Sequence, residues 1–354
     1  MNATMLTYIY GTPDALAKIV REYPENLLPL KNALAGKPVK RMMLLATGSS
    51  YNAALCARSY FEETFGILVD LKEPDYFTYY ERIDPATSLV LAISQSGKSA
   101  STLAAMQKVQ AAGLPVFCLT ADPASAAAQA ADGVLDLNTG IEQVGFVTRG
   151  FSATVLNLLL IALLIAESQG TVSRAAAAAE RDALHTLAAA LPTVIEKSEA
   201  FIRQHRAAWL AASRYVAIGY GALLGVAKEA ETKLTETVRL PASGVELEAY
   251  MHGPYLEANR SHLLFFIEHQ KNTRLRALRD YMRPYVSEVF TMTLESDEPA
   301  ENTLSLGIPS NHPFSTLQLI VPFQLLSFHL AALRGVDLNI RIFDDFDQVL
   351  KSKV

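Results

Sequence analysis

The sequence has 354 residues, half of them hydrophobic and 19% charged, which is enough apolar material for two domains of ordinary size. Its net charge of −5 argues against a nucleic-acid-binding protein, which would need a basic face. An anionic small molecule is not excluded, because backbone amides and hydroxyl groups hold a phosphate with little net charge.

The sequence contains no signal for export or for membrane insertion. The N-terminal residues lack the basic region and the apolar core of a signal peptide, and the apolar run 155–166 is shorter than the ~20 residues that span a bilayer. Cys56 and Cys118 stand in apolar surroundings that are typical of buried thiols rather than of a disulfide. We therefore expect a cytoplasmic protein with no membrane or nucleic-acid partner.

Apolar runs that end in polar turns predict strands along the first half of the chain. The four predicted strands of this half are 41–46, 88–93, 116–120 and 134–137. Helical patterns follow the first two strands, and strands and helices that alternate in this way are typical of a parallel sheet covered by helices on both faces.

The second half repeats the order strand, glycine-containing turn, helix, strand. Its predicted strands are 215–218, 262–267 and 286–293. Between the halves lies an alanine-rich helical stretch in which Pro192 predicts a break.

We predict an α/β fold of two tandem domains, each a parallel sheet between two layers of helices, as in Rossmann-like and flavodoxin-like folds. The predicted division is an N-terminal helical segment, a first domain, a helical linker, a second domain and a C-terminal tail, at residues 1–40, 41–168, 169–205, 206–336 and 337–354.

Two serine-rich turns follow predicted strands of the first half. Each turn opens a helix, so its unsatisfied N–H groups and the positive end of the helix dipole point to the carboxyl edge of the sheet. The alternative for Ser49, Ser50 and Ser99 is that they only cap their helices. Two such turns in one α/β unit favour a phosphate site, whose predicted residues are Ser49, Ser50, Ser94, Gln95, Ser96 and Ser99.

The segments 46–53, 94–97 and 147–151 resemble the sugar isomerase (SIS) domain family. Over nearly the whole chain, the sequence is similar to the isomerase half of glucosamine-6-phosphate synthase and to the fructosamine-6-phosphate deglycases. The resemblance implies two tandem SIS domains, with the serine-rich turns holding the 6-phosphate of a sugar. Lys98 departs from the acidic residue that is more frequent in the family, which bears on substrate preference.

A second group of candidate residues lies in the other half of the chain. Lys233 and Glu236 are three residues apart and share a helix face, which alone would indicate a solvent-exposed ion pair. The resemblance implies that Glu236 is the catalytic glutamate, Lys233 an active-site lysine and His252 the histidine of ring opening. These side chains suit the chemistry, because a histidine shuttles a proton near neutral pH and a carboxylate moves a proton between C1 and C2.

The C-terminal tail is expected to close the active site. In the synthases a lysine near the terminus forms a Schiff base with the open-chain sugar, and Lys351 is its best match, although a terminal lysine is usually a solvated charge. The roles of three further acidic residues stay open, namely Glu142, Glu246 and Glu248.

The sequence has no segment that matches the glutaminase half of the synthase, so we expect no ammonia from glutamine within this chain. The leading interpretation is a deglycase that cleaves a 6-phosphorylated ketosamine to glucose 6-phosphate and an amine through an enolamine. The alternatives are an aldose–ketose isomerase, a deaminase of an amino-sugar 6-phosphate, and a non-catalytic sugar-phosphate sensor. We expect no cofactor and no metal, and by resemblance a homodimer or higher homo-oligomer.

Overall fold

The structure is a computed structural model, and the residues that it describes are 3–34, 37–297, 300–309 and 314–354. Two compact units are present. The first domain consists of residues 11–188 and 341–354, and the second domain consists of residues 1–10 and 189–340. Each unit is assembled from two separate segments of the chain. The division into five consecutive parts, which the sequence analysis gave, stays a prediction.

In its described part, the first domain is built around one parallel sheet. Its strands are β1 (Arg41–Leu45), β2 (Leu68–Lys72), β3 (Leu89–Ile93), β4 (Val116–Thr120) and β5 (Gly133–Asp136). They lie in the order β2-β1-β3-β4-β5, all parallel. Strands β3 and β4 are buried along their whole length, since a sheet covered on both faces leaves no strand face for polar residues.

The second domain holds a second parallel sheet in its described part. Its strands are β6 (Arg214–Gly219), β7 (Ala242–Glu246), β8 (His262–Glu268), β9 (Glu288–Thr293) and β10 (Thr303–Ser305). The order β10-β9-β8-β6-β7 is that of the first sheet read from the other edge. In both sheets the first strand therefore lies between the second and the third, which is the flavodoxin-like order. The predicted fold class, two α/β domains that each have a parallel sheet flanked by helices, is confirmed.

Helices connect the strands in both domains. The first eight in chain order are α1 (Met5–Tyr10), α2 (Thr12–Asn26), α3 (Leu28–Leu34), α4 (Ser49–Ser59), α5 (Pro74–Tyr80), α6 (Ala100–Ala111), α7 (Ala126–Ala130) and α8 (Arg149–Ser168). The others are α9 (Arg174–Ala211), α10 (Leu223–Val238), α11 (Leu247–Met251), α12 (Thr273–Met282), α13 (Thr316–Leu319), α14 (Val321–Leu333) and α15 (Phe346–Val349). A π-helical turn at Tyr60–Thr64 extends α4, and a 3₁₀ turn at Pro254–Glu257 follows α11.

Alternating residues of each strand face opposite layers of helices. In the first domain, Met43 and Val90 belong to a buried cluster with Phe77 of α5 and Met106 of α6. On the other side, α8 packs with α2, α3 and α4. In the second domain, the corresponding cluster joins β6 and β8 to α11 and α12. Cys118 is buried as predicted, and burial raises the pKa of its thiol to about 12.

Two expectations from the sequence need correction. Helix α9 continues through Pro192, so the predicted break is wrong; Leu191 and Val194 are fully buried beside the proline, and this packing stabilises the helix where the missing N–H weakens it. The sequence analysis also missed β2, β7 and β10, which are edge strands of their sheets. The strands that it did predict all correspond to strands in the structure.

Candidate functional site

The two serine-rich turns lie at the carboxyl ends of neighbouring strands. Ser49 begins α4 just after β1, and the Ser94–Gly97 turn, called the phosphate turn below, follows β3. Strands β1 and β3 are hydrogen-bonded neighbours, and the strand order of the sheet reverses between them. In open α/β sheets this reversal creates a crevice in which ligands bind. The structure therefore brings the candidate phosphate residues to the crevice of the first sheet.

Backbone hydrogen bonds fix the conformation of the phosphate turn. Gly97 N donates a hydrogen bond to Ser94 O at 3.0 Å, and Ala127 N donates to Gly97 O at 2.9 Å. Gly97 has φ +62°, and a Cβ on it would lie 1.8 Å from the Ser125 hydroxyl oxygen. Only glycine fits this conformation and this close approach. Ser96 at the tip of the turn is exposed, so its hydroxyl is accessible to a ligand.

Ser99 has a structural partner. Its side-chain oxygen accepts hydrogen bonds from Thr102 N at 3.3 Å and from the Thr102 hydroxyl at 3.0 Å, and it caps α6. This is the helix-cap alternative that the sequence raised for Ser99. Phosphate binding by Ser99 stays a prediction, as it does for the other five candidates.

The Glu142 carboxylate joins the Gln95 side chain to the start of α8. It accepts hydrogen bonds from Gln95 Nε2 at 3.3 Å, from Thr148 N at 3.2 Å and from Gly150 N. Only 9% of Glu142 is exposed, and its charge lies at the N-terminal end of a helix, where the dipole favours it. A Cβ on Gly150 would lie 2.0 Å from Gln95 Nε2, so the glycine lets the helix approach the turn. Glu142 thus fixes Gln95 in place.

The C-terminal tail pairs with the segment after the phosphate turn. Lys353 forms an antiparallel bridge with Ser99, and Val354 N donates to Lys98 O at 3.0 Å. Asp347 ties the tail together: hydrogen bonds from Lys353, then from Ser352 and Arg341, lower the pKa of its carboxyl to about 2. The side chain of Lys351 is exposed.

Lys233 and Glu236 lie on one face of α10 in the second domain. Lys233 Nζ is 2.7 Å from Glu236 Oε2 and 3.5 Å from Glu229 Oε1. The side chains of Lys233 and Glu229 are completely buried, whereas 39% of the Glu236 side chain is exposed. The alternative of a solvent-exposed ion pair therefore does not hold for Lys233, and the catalytic roles of Lys233 and Glu236 stay predictions. The sequence analysis missed Glu229, although its spacing of four residues from Lys233 was a signal for a shared helix face.

His252 ends α11 and is exposed. Two of the acidic residues that the sequence left open lie close to it in the chain. Glu246 caps α11 by accepting a hydrogen bond from Ala249 N at 2.9 Å. Glu248 accepts hydrogen bonds from the Arg274 side chain, which lower the pKa of the Glu248 carboxyl, and the charge of nearby His252 lowers it further. Both carboxylates are therefore engaged within the second domain.

The crevice of the second sheet contains charged side chains where the first has serines. Glu268 ends β8, is 2% exposed, and accepts hydrogen bonds from Asn272 N at 2.6 Å and from Arg276 Nε at 3.0 Å. Arg276 Nη1 lies 2.7 Å from Asp297 Oδ1. The hydrogen bond with Glu268 is the main cause that raises the pKa of Arg276. A carboxylate of the protein thus occupies the N-terminal end of α12.

Comparison with known proteins agrees with this geometry. The sequence model of the SIS domain family matches residues 37–166. Residues 37–166 are a SIS domain. All six candidate phosphate residues lie within this SIS domain, whereas Glu236, His252 and Lys351 lie outside it.

The similarity to individual proteins extends beyond the SIS domain. The isomerizing glutamine–fructose-6-phosphate aminotransferase of Caulobacter vibrioides is 26% identical over 94% of this chain and 56% of its own length. The chain thus spans about half the length of the curated relatives that it matches. A Clostridium difficile crystal structure, provisionally named a phosphosugar isomerase, has a TM-score of 0.92 and 26% identity, covering 100% of this chain and 99% of its own. The predicted resemblance to the SIS family and to the synthase is confirmed.

A more distant structure shares the fold alone. The glucosamine-6-phosphate deaminase of Thermotoga maritima has a TM-score of 0.74 at 19% identity, and the match covers 95% of this chain and 96% of its own.

In the described part of this chain, the His, Cys, Asp and Glu side chains form no group of three or more that could hold a metal ion.

Among the residues that the structure describes, two helical stretches are long and apolar enough to cross a membrane, Arg149–Ser168 in the first domain and Thr316–Leu333 in the second domain. Their most apolar windows are 94% and 78% buried, respectively. Burial of this kind is typical of the core helices of a folded domain.

Proposed function

We propose that the protein is a deglycase that converts a 6-phosphorylated ketosamine to glucose 6-phosphate and an amine. The observation that carries this proposal is that the buried Lys233 ammonium lies 2.7 Å from the partly exposed Glu236 carboxylate. A partly exposed carboxylate beside a fixed cation is suited to take a proton from a bound substrate and return it. The SIS domain supplies the reason to expect a phosphorylated sugar.

The proposed reaction is a tautomerisation followed by hydrolysis. His252 moves a proton between the ring oxygen and the anomeric hydroxyl, which opens the sugar. Glu236 then removes a proton from C1 and forms the enolamine, and protonation of C2 gives the imine at C1. Water adds to this imine, and the carbon–nitrogen bond breaks to release the amine and the aldehyde of glucose 6-phosphate. The nitrogen comes from the substrate, so no covalent lysine is needed.

The phosphate is assigned to the crevice of the first sheet. Ser96 and the backbone N–H groups of the phosphate turn would donate hydrogen bonds to it, together with Ser49 and Ser50 at the start of α4. Support comes from the rigid Gly97 conformation and from the Glu142 contact that fixes Gln95. We further propose that the tail closes this site, because its strand pairing with Ser99 holds it against the phosphate turn.

Isomerisation or deamination of an amino-sugar 6-phosphate is the second candidate, and the fold shared with the Thermotoga maritima deaminase favours it. Both reactions use the same proton transfer between C1 and C2. The exposed Lys351 side chain favours the deglycase, which does not require a lysine to carry the amine.

One panel of substrates distinguishes these functions. The protein is incubated separately with phosphorylated ketosamines, with fructose 6-phosphate plus ammonia, and with glucosamine 6-phosphate. The expected result is release of glucose 6-phosphate and free amine from ketosamines only. Conversion of glucosamine 6-phosphate instead would establish the second candidate, and tight binding without any conversion would indicate a sugar-phosphate sensor.

The matched pair Glu236→Gln and Glu231→Gln tests the base. Glu236→Gln should lower kcat by about 10²- to 10⁴-fold while the affinity for the sugar phosphate stays within about threefold, because the amide cannot accept the proton. Glu231 lies on the same helix but contacts Lys228 and the Gly244 amide, so its substitution should leave turnover nearly unchanged. Turnover that survives in Glu236→Gln would refute the assignment of the base.

Cytoplasmic location and assembly as a homodimer or higher homo-oligomer complete the proposal. Light scattering of the purified protein measures the assembly, and a monomeric mass would refute that part alone.

A further inference from the structure

The second domain contains a cavity of about 350 Å³ that is lined by residues of α11, the 3₁₀ turn after it and α12. Two of the lining residues, Leu278 and Met282, are buried, whereas Tyr255 and Tyr281 are exposed. A cavity of this volume, with buried apolar side chains and with tyrosines that are open to solvent, is suited to bind an apolar group of a small molecule. This amine cavity, as it is called below, belongs to the second domain alone.

One face of α12 provides most of the lining of the amine cavity. The lining residues of this helix recur at spacings of three and four, which places them on a single face. They are Arg274, Ala277, Leu278, Tyr281 and Met282. Ala277 stands in the middle of this series and is exposed, so its short side chain leaves room between longer neighbours. A larger side chain at this position would fill the cavity without removing any existing contact.

The charge of the lining is balanced within the protein. Among the described residues that line the cavity, Arg274 is the charged one, and its guanidinium donates to Glu248 Oε1 at 2.8 Å and to Glu248 Oε2 at 3.1 Å. A charged ligand group would therefore lose hydration on entering the cavity and would meet no unpaired charge there. A neutral apolar group gains from the same transfer. The amine cavity thus favours a neutral occupant.

The amine cavity adjoins His252. Met251 lines the cavity and directly precedes His252 at the end of α11, and Tyr255 follows three residues later. Hydrogen bonds from Arg274 lower the pKa of the Glu248 carboxyl, and the charge of His252 lowers it further, so this carboxylate lies near both residues. The cavity and the histidine therefore lie side by side in the second domain.

The chemistry of a ketosamine places its nitrogen close to the atoms on which His252 acts. In the proposed reaction, His252 moves a proton between the ring oxygen and the anomeric hydroxyl, and the anomeric carbon of a ketosamine is C2. The nitrogen is bonded to C1, the neighbour of C2. A substituent that extends from this nitrogen consequently begins beside the histidine and needs a space next to it.

We propose that the amine cavity binds the substituent on the substrate nitrogen, and that the protein selects 6-phosphorylated ketosamines whose amine carries a neutral aromatic or large apolar group. This inference rests on the proposed function, in which His252 opens the sugar. Tyr255 and Tyr281 offer aromatic faces to such a group. Met251 and Met282 are flexible and polarisable, so the cavity accepts apolar groups of different shapes.

The first test compares three 6-phosphorylated ketosamines that differ only in the amine. The 2-phenylethylamine derivative should exceed the methylamine derivative in kcat/KM by about 10- to 100-fold, because its ring leaves water for the cavity. The 1,4-diaminobutane derivative has a chain of similar reach that ends in an ammonium, and it should exceed the methylamine derivative by less than about threefold. A preference for the ammonium-bearing substituent, or no preference at all, would overturn the proposal.

The matched variants Ala277→Leu and Ala277→Ser locate the preference. Ala277→Leu fills the cavity, so the advantage of the 2-phenylethylamine derivative should fall below about threefold, whereas kcat/KM for the methylamine derivative should stay within about threefold of the wild-type value. Ala277→Ser keeps the space and should retain the preference. Position 277 is exposed on a helix, so both variants should fold, which circular dichroism verifies.

Two outcomes of this comparison count against the cavity. A preference that Ala277→Leu leaves unchanged would mean that the substituent binds elsewhere. If a second copy of the chain filled the cavity instead, Ala277→Leu would alter the mass measured by light scattering and leave the preference unchanged. Either result overturns the proposal.

Failure of the proposed function has a separate signature. If no ketosamine were cleaved, the ¹³C-methyl signals of Met251 and Met282, assigned through Met251→Leu and Met282→Leu, would still report on the cavity. Millimolar 2-phenylethylamine should shift both signals in the wild-type protein and in Ala277→Ser but not in Ala277→Leu, and methylamine should shift neither. Such shifts without turnover would refute the deglycase and retain a site for aromatic amines. Absence of both turnover and shifts would overturn the cavity as well.

Discussion

The two sheets have the same strand order, yet their crevices differ in chemistry. At the end of β3, the first domain presents a tight turn whose Ser96 hydroxyl is exposed and whose backbone is fixed by Gly97. At the corresponding end of β8, the second domain presents Glu268, which is buried against Arg276 and the start of α12. One crevice offers donors to an external anion, and the other already contains an anion of its own.

Topology therefore locates a possible site but does not determine what binds there. A parallel sheet of this order always has a crevice where the strand order reverses. Whether a ligand binds there depends on whether the donors at the helix N-terminus are still available. In the second domain the Glu268 carboxylate accepts from Asn272 N, so the anion-binding capacity of α12 is used internally.

The largest expected effect comes from removal of this internal anion. Glu268→Ala leaves the Arg276 guanidinium, which is 10% exposed, without its main buried partner, and we expect the free energy of unfolding to fall by about 3–5 kcal/mol. The control is Glu248→Ala, which breaks the Arg274 pair on the same helix. Both partners of that pair are more than half exposed, so its loss should cost less than about 1 kcal/mol. Urea denaturation measures both values.

Added phosphate tests whether the Glu268 carboxylate occupies an anion site. If Glu268 acts as an internal anion, millimolar phosphate should occupy the vacated place and raise the Tm of Glu268→Ala more than that of Glu248→Ala. Equal responses of the two variants would show that the crevices differ in more than the presence of a carboxylate.

The fold could be predicted where strands are buried on both faces. The apolar runs that make up most of β3, β4 and β8 predict a sheet covered on both faces, and each strand was located within one or two residues. The edge strands β2, β7 and β10 could not be found in this way. Each has residues open to solvent, such as Leu68 with 49% exposure, and their pairing depends on a neighbouring strand that is distant in sequence.

The candidate site could be predicted only in part, because residue type does not reveal burial. A serine after a strand marked the phosphate turn, but the sequence could not show that Ser99 already accepts hydrogen bonds from Thr102. The Lys233–Glu236 spacing was visible, whereas the complete burial of Glu229 depends on the elements that pack against α10. The sequence likewise could not predict which residues the tail contacts.

A smaller effect separates two serines of the first crevice. Ser96→Ala should weaken the binding of a sugar 6-phosphate by about 10- to 100-fold, because it removes a donor to a charged group, and should change the free energy of unfolding by less than about 0.5 kcal/mol. Ser99→Ala should lower the free energy of unfolding by about 1 kcal/mol, because the cap of α6 is lost. Calorimetric titration and urea denaturation measure the two quantities. A stability loss in Ser96→Ala alone would reverse the assignment of cap and ligand donor.

The smallest effect concerns the tail, which pairs with Ser99 just after the phosphate turn. Lys353, Ser352 and Arg341 hold the pKa of Asp347 at about 2, below the value of about 3.9 for an unfolded aspartate. Because the folded-state pKa is lowered, this contribution is complete above pH ~4 and is lost as the pH falls through about 2. Protection of the Ala100 amide, which donates to Ser352 O, should follow the same course in hydrogen exchange corrected for its intrinsic pH dependence.

Asp347→Asn should remove that pH dependence and speed exchange of the Ala100 amide by less than about fivefold, since the carboxylate is partly exposed and solvent screens its ion pairs. Asp345→Asn removes a charge from the same segment without touching these contacts, and it should exchange like the wild-type protein. An Ala100 amide that exchanged equally in all three proteins would mean that the backbone pairing of Ser99 with Lys353 holds the tail by itself. The charges of the tail would then contribute little to its attachment.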